Sequence, residues 1–270
     1  MMLADGRVER YFAANAVFWK DVYGRTDVFS GIIRRRQAIA LKWIDGLHLE
    51  PRTPVLEVGC GAGSLSLALA QRGMTVQAID SVPAMVVQTR RRVHDARLGQ
   101  AVNVRVDDVH RLGFADASFT VVAALGVLPW LHSPSRAIDE MARVLKPGGW
   151  MVLSADNRAR LPALLDPLRN PALDGIKRTT KGALHGSRAS DGCRPRADRR
   201  KDVDRMLALA GLGKRASVSC GFGPLTFFWR RILPERLESA LEPRLQALAD
   251  RGIPGMASAG WHYLVLAQKP

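Results

Sequence analysis

Two hundred and seventy residues, 47% hydrophobic, 24% charged and 6% aromatic, suffice for one large α/β core with added segments, and they exclude wholesale disorder, collagen and coiled coil. Forty Lys+Arg against 25 Asp+Glu give a net charge of +15, which raises the question of an anionic partner: nucleic acid, acidic lipid or acidic substrate. Three cysteines, Cys60, Cys193 and Cys220, are an odd number without metal-ligand spacing, so a reducing compartment fits better than a disulfide scaffold or a zinc module.

Residues 1–50 read as mostly helical, with an apolar rhythm over Ile39–Ile44 that Asp45-Gly46 ends, and with Tyr11, Phe12, Phe18, Trp19 and Tyr23 upstream. From Pro54 strands and helices alternate. The pattern predicts strands at Val55–Val58, Val76–Asp80, Val102–Val106, Phe119–Leu125 and Trp150–Ser154. Helices are expected at Leu65–Gln71, Pro83–Arg97 and Ser135–Leu145, the last capped by Ser133 or Ser135 and stopped by Lys146-Pro147-Gly148-Gly149. Then come a helix at Lys201–Ala210 closed by Gly211-Leu212-Gly213, a strand at Ala216–Cys220, one or two helices over Ile232–Asp250 broken at Pro234 and Pro243, and a last strand at His262–Gln268. Such alternation argues for a doubly wound, mostly parallel seven-stranded sheet covered on both faces.

The most informative stretch is Val55-Leu56-Glu57-Val58-Gly59-Cys60-Gly61-Ala62-Gly63-Ser64, a strand running through three glycines into a helix. Glycines there let a backbone approach a ligand closely, at the crevice where doubly wound sheets bind ligands. The dinucleotide fingerprint G-x-G-x-x-G fails, because the third position is Ser64 counted from Gly59 and Ser66 counted from Gly61. Asp80 ends the second strand, where a carboxylate accepts from both hydroxyls of a ribose. Asp107-Asp108-Val109 ends the third, where an acid accepts from an adenine amine and the next N–H donates to the ring; which of the two acids does so is open at this point.

With these residues the chain resembles the class I S-adenosylmethionine-dependent methyltransferases of the small-molecule type, similar to the ubiquinone/menaquinone C-methyltransferase group. The resemblance rests on V-L-E-V-G-C-G-A-G at 55–63, Asp80, D-V-H-R-L-G-F-A-D-A-S-F at 108–119 and R-A-I-D-E-M-A-R-V-L-K-P-G-G at 136–149. It implies that Glu57, Gly59, Cys60, Gly61 and Gly63 shape the pocket for the methionine part of S-adenosyl-L-methionine. It implies further that Asp80 holds the ribose with Ser81 and Met85 nearby, that Asp108, in preference to Asp107, reads the adenine with Val109, and that Leu125 and Gly126 line the amino-acid tail. Thr120 stands where the family often has Asp, at a position that is usually structural. The run Leu128-Pro129-Trp130-Leu131-His132 departs from the family's paired histidine.

Four segments follow: a helical lid over 1–50, the cofactor-binding core over 51–156, a flexible insertion over 157–200, and the remainder of the sheet with a helical insertion over 201–270. The insertion holds 11 basic and 4 acidic side chains, net +7. For acid–base chemistry the candidates are His132, which follows the fourth strand, then His110 and Tyr23. The N-terminal aromatics, the 157–200 insertion and the Phe222–Trp229 stretch are expected to cover an apolar or aromatic small-molecule acceptor. Arg230-Arg231 would suit an anionic membrane surface beside it. No metal is expected. The N-terminus lacks the apolar run of a signal peptide and no segment is long enough to span a membrane, so a cytoplasmic place is expected. Methyl transfer to RNA or protein through the basic surface is the competing reading, and a non-catalytic cofactor-binding module is a third.

Overall fold

A computed structural model of the protein describes residues 6–173, 195–228 and 230–270. The seven-stranded sheet is formed by β1 (Pro54–Val58), β2 (Thr75–Asp80), β3 (Val102–Val106), β4 (Phe119–Ala124), β5 (Leu145–Asp156), β6 (Gly213–Cys220) and β7 (His262–Gln268), in the order β3-β2-β1-β4-β5-β7-β6. The pairs β3-β2, β2-β1, β1-β4 and β4-β5 are parallel, and β7 runs antiparallel to both β5 and β6. The chain steps outward from β1 to β3 and returns to β4 on the other side of β1. The strand order therefore reverses between β1 and β4, and a crevice opens at their carboxyl ends.

The two-residue period of a strand decides what each face holds. Leu56 and Val58 of β1 join Val122, Leu153, Ile138 and Met141 in one core, whereas Val55 joins Val76, Val121, Leu65 and Leu69 in the other. Glu57 shares the second face with Val55, under the helix α4 (Ser64–Ala70). The remaining main helices are α1 (Arg7–Ala14), α2 (Ala16–Asp21), α3 (Val28–Asp45), α5 (Pro83–Asp95), α6 (Pro134–Val144), α7 (Leu161–Leu165), α8 (Arg200–Leu209) and α9 (Glu235–Asp250). Asp27 caps α3 by accepting the Ser30 N–H at 3.0 Å. Among the described residues no helix is long and apolar enough to cross a membrane.

Several local expectations give way to tertiary context. α9 runs unbroken through Pro243, and Pro234 precedes its first residue, where the missing N–H costs nothing. Ser133 occupies the N-cap of α6 but its hydroxyl makes no capping bond, because Pro134 at the first helical position already sets the backbone. Lys146–Gly149 do not separate helix from strand. β5 begins at Leu145, paired with Phe119, and the extra residues bulge before Trp150 resumes opposite Val121. β6 starts at Gly213, so only Gly211-Leu212 close α8. Within Phe222–Trp229, Thr226–Phe227 pairs with Arg230–Arg231 as a short antiparallel ribbon. Residues 174–194 of the basic insertion, and Trp229 at the end of the aromatic stretch, lie outside the described residues.

Candidate active site

The turn after β1 has a backbone that only glycine accepts comfortably. Gly59 has φ +67°, and a Cβ there would stand 2.4 Å from Val127 Cγ2. Gly61 has φ +54°, and a Cβ would meet nothing within 4 Å, so its bare side faces open space. Thr89 donates to the Gly61 carbonyl at 2.7 Å, and Arg92 to the Ala62 carbonyl at 2.8 Å, so α5 holds the turn from behind. Asp80 clamps it from the side: one carboxylate oxygen accepts the Gly61 N–H and the other the Val82 N–H, each at 2.9 Å. Burial pushes the Asp80 carboxyl above the usual range, against those two donors.

Glu57 lies fully behind this turn and accepts a hydrogen bond from the Ser66 hydroxyl. Burial pushes its carboxyl up to about 8, from an ordinary value of 4.5, although Ser66 pulls the other way. The unfolded chain therefore releases this proton first as pH rises. Stability from Glu57 is complete below about 4.5 and is lost toward about 8, on the order of a few kcal/mol. A Glu57→Gln variant should show a smaller fall in melting temperature between pH 5 and pH 8 than the parent; parallel melting curves would refute a neutral buried carboxyl.

Opening onto the turn is a cavity of about 820 Å³, within the range of small-molecule sites. Glu57, Gly59, Cys60 and Gly61 line it from β1, and Asp80, Ser81 and Met85 from β2 and α5. Asp107, Asp108, Val109, Leu125 and Gly126 complete its floor. Of the residues singled out from sequence for this pocket, Gly63 does not line it; it caps α4 with φ +80° and faces Thr89. Cys60 is buried, and its thiol is pushed well above the ordinary range, so it packs rather than reacts. Asp107 is committed to Arg105, 2.6 Å away. Asp108 accepts the His110 N–H at 2.9 Å and faces its Nδ1 at 2.8 Å, while most of its side chain stays exposed.

Among the acid–base candidates, His110 and His132 stack with ring centroids 3.7 Å apart, His110 buried and His132 exposed at the cavity wall. Tyr23 lines the cavity and hydrogen-bonds to Arg36, and burial pushes its phenol further up, so it holds its proton at neutral pH. Aromatic rings line the cavity as well. Tyr11 stacks on Trp130 at 5.3 Å, Phe12 meets Trp19 at 5.5 Å and Phe29 meets Trp261 at 5.9 Å. Phe18 and Phe222–Phe228 take no part in the lining: Phe222 packs against Ala249 and Ala259, and Phe227 and Phe228 are exposed.

Two groups escaped sequence reasoning. The first is Arg36 of α3, 7% exposed and lining the cavity, with Nη1 2.6 Å from where a Gly126 Cβ would stand. Among the described residues no carboxylate pairs with it. A buried cation without an anion is costly, and a ligand carboxylate would relieve it. The signal was present: Ile32, Ile33, Ala40 and Ile44 mark the buried face of α3, and Arg36 falls on that face. The second is His262 with Asp156, brought together only by the sheet.

Residues 56–153 match the family model described as a methyltransferase domain. A ubiquinone biosynthesis O-methyltransferase of Xanthomonas axonopodis pv. citri is 36% identical over 149 residues, 54% of this chain and 59% of that protein. A second, from Xylella fastidiosa, is 38% identical over 38% of this chain and 42% of its own length. The chain thus spans under two thirds of these curated relatives, whose names specify an oxygen acceptor. Among solved structures, magnesium protoporphyrin IX methyltransferase from Synechocystis, with bound S-adenosylhomocysteine, superposes with a TM-score of 0.62 at 18% identity, covering 97% of this chain and 98% of that one. At such identity the likeness is one of fold. Residues 56–153 thus match a methyltransferase domain, built on the fold that this solved methyltransferase shares.

Proposed function

We propose that the chain transfers a methyl group from S-adenosyl-L-methionine to an oxygen atom of a hydrophobic or aromatic small molecule. One juxtaposition carries this reading: a single cavity is lined by the clamped carboxylate of Asp80, the bare Gly61 turn, the guanidinium of Arg36, which no carboxylate pairs with among the described residues, and a set of aromatic rings. These residues fit a cofactor with a sugar in the middle and a carboxylate at one end. Asp80 would hold the ribose hydroxyls, Asp108 and the Val109 N–H the adenine edge, and Arg36 the tail carboxylate. Gly61 keeps the space between them clear of side chains. Bound there, the cofactor supplies an electrophilic methyl on sulfur. The protein's own part is to align the acceptor oxygen with that methyl, worth up to about 7–11 kcal/mol in the best intramolecular cases, and to exclude water.

The relatives' names support an oxygen acceptor, and the rings support a flat, apolar one. A membrane surface near Arg230 and Arg231 and a cytoplasmic location remain part of the proposal; the free buried thiols of Cys60 and Cys220 support a reducing compartment.

Calorimetry tests the cofactor half of this reading. Arg36→Met should weaken S-adenosylhomocysteine about 10–100-fold while leaving 5′-methylthioadenosine, which lacks the carboxylate, nearly unchanged. Equal losses for both ligands would remove Arg36 from the tail. Methyl-labelled cofactor with a panel of phenols and catechols tests the other half: label should pass into an organic extract, and binding without turnover on any of them would favour a non-catalytic module.

A further inference from the structure

β7 is antiparallel to β5, so its first residue stands at the same sheet edge as the last residue of β5, and His262 is the direct cross-strand partner of Asp156. Residues so opposed carry their side chains on one face, with Cβ atoms about 5 Å apart. Both line the cavity and both are buried, His262 at 4% exposure and Asp156 at 8%. His262 Nδ1 lies 3.2 Å from Asp156 Oδ1, within ion-pair distance though not aligned as a straight hydrogen bond. The other carboxylate oxygen accepts the Trp261 indole N–H at 3.2 Å, and the Asp156 carbonyl accepts the Asp198 N–H at 2.8 Å, so the acid is fixed. His262 Nε2 has no hydrogen-bond partner among the described residues. A buried ring nitrogen left so is unfavourable by about 1–3 kcal/mol; water does not reach it in this conformation, so a donor in the cavity that His262 lines meets it only when the ring turns.

The surroundings decide what that donor is. Asp156 from β5, Arg36 from α3 and Arg160 beyond β5 are the charged groups that act on His262. Burial and the two guanidiniums hold the imidazole below the usual histidine range, against the pull of Asp156. A neutral ring with its Nδ1–H toward the carboxylate offers a lone pair at Nε2, so it takes a proton donor. Trp261 beside it, with Phe29 edge-on at 5.9 Å, selects a flat ring to carry that donor.

We infer that His262 is the general base for a phenol or catechol acceptor, with Asp156 as its positioning residue. This rests on the methyl-transfer reading above. The acceptor O–H bond breaks and its proton passes to His262 Nε2. The oxygen electron pair forms the new bond to the methyl carbon, and the pair of the old carbon–sulfur bond stays with sulfur. The positive charge that leaves sulfur reappears on the imidazolium, which faces Asp156 and sheds its proton once the product departs. Exposed His132 and proton-retaining Tyr23 are thereby left as wall residues.

The test uses 4-nitrocatechol, whose ionised form absorbs at longer wavelength than its neutral form. It is titrated with pH into the S-adenosylhomocysteine complexes of the parent, His262→Gln and Asp156→Asn. In the parent the bound probe should ionise at lower pH than in free solution. His262→Gln should bind it without that displacement, and Asp156→Asn should give an intermediate one; kcat for methylation of the same catechol should fall about 10²–10⁴-fold in His262→Gln. An equal displacement in His262→Gln, or no binding of the probe by the parent complex, overturns the inference. So does a His262→Gln variant that also loses S-adenosylhomocysteine in calorimetry, because the role is then structural. A parent that fails to bind S-adenosylhomocysteine sinks the methyl-transfer reading itself, a result separable from the others.

Discussion

Replacing Asp80 with alanine is expected to weaken S-adenosylhomocysteine and 5′-methylthioadenosine alike, each by about 10²-fold or more. Two contributions add. On the proposed reading the carboxylate accepts from both ribose hydroxyls, and a hydrogen bond to a charged group contributes about 1.5–3 kcal/mol, where 1.4 kcal/mol is tenfold in affinity. The same carboxylate also fixes the turn, through the Gly61 and Val82 N–H groups at 2.9 Å. Removing it leaves two N–H groups without partners and lets the turn drift from the shape the ligand needs. The response to the tail-less ligand separates this variant from Arg36→Met, since the ribose is common to both ligands and the carboxylate is not. Calorimetry showing unchanged affinity for 5′-methylthioadenosine would place the sugar elsewhere.

Gly61→Val should abolish cofactor binding while leaving a cooperatively folded protein. The position has φ +54°, so a β-branched residue there is strained by roughly 1–3 kcal/mol, a tolerable loss for a large core. Beyond its two chain neighbours no described atom lies within 4 Å of the new Cβ, so the side chain extends into space that the proposed ligand fills. Gly59→Val is the contrasting case. Its Cβ would sit 2.4 Å from Val127, and the expected result there is a lower melting temperature before any question of binding arises. Thermal melts with calorimetry distinguish the two. A Gly61→Val protein that keeps its affinity would mean that the open side of the turn is not the adenosyl site.

The local pattern carried the parallel half of the sheet well, because buried parallel strands write themselves as short apolar runs punctuated by glycine and proline. Val55–Val58 and Val76–Asp80 needed no tertiary information. Punctuation misled where packing supplies what the residue withholds: Pro243 lies inside α9, and Lys146–Gly149 form a bulge within β5. The turn and its acids were legible for the same reason as the strands, since Gly59, Gly61 and Asp80 act within a few residues of a strand end. Arg36 was half legible, as a charge on the apolar face of α3. His262 was not legible. Nothing in a run of apolar residues ending the chain marks its first member as facing a carboxylate 106 positions earlier.

What the chain determines by itself is the period of its strands and helices, and the glycines and acids at strand ends, because these depend on local sterics and on which side of an element is apolar. What tertiary structure alone decides is which distant side chains share one cavity. The antiparallel return of β7 beside β5 sets His262 opposite Asp156, and the fold of α3 across the crevice sets Arg36 against Gly126. Long-range pairing of this kind comes from the sheet's register, which is a property of two strands together and is written in neither.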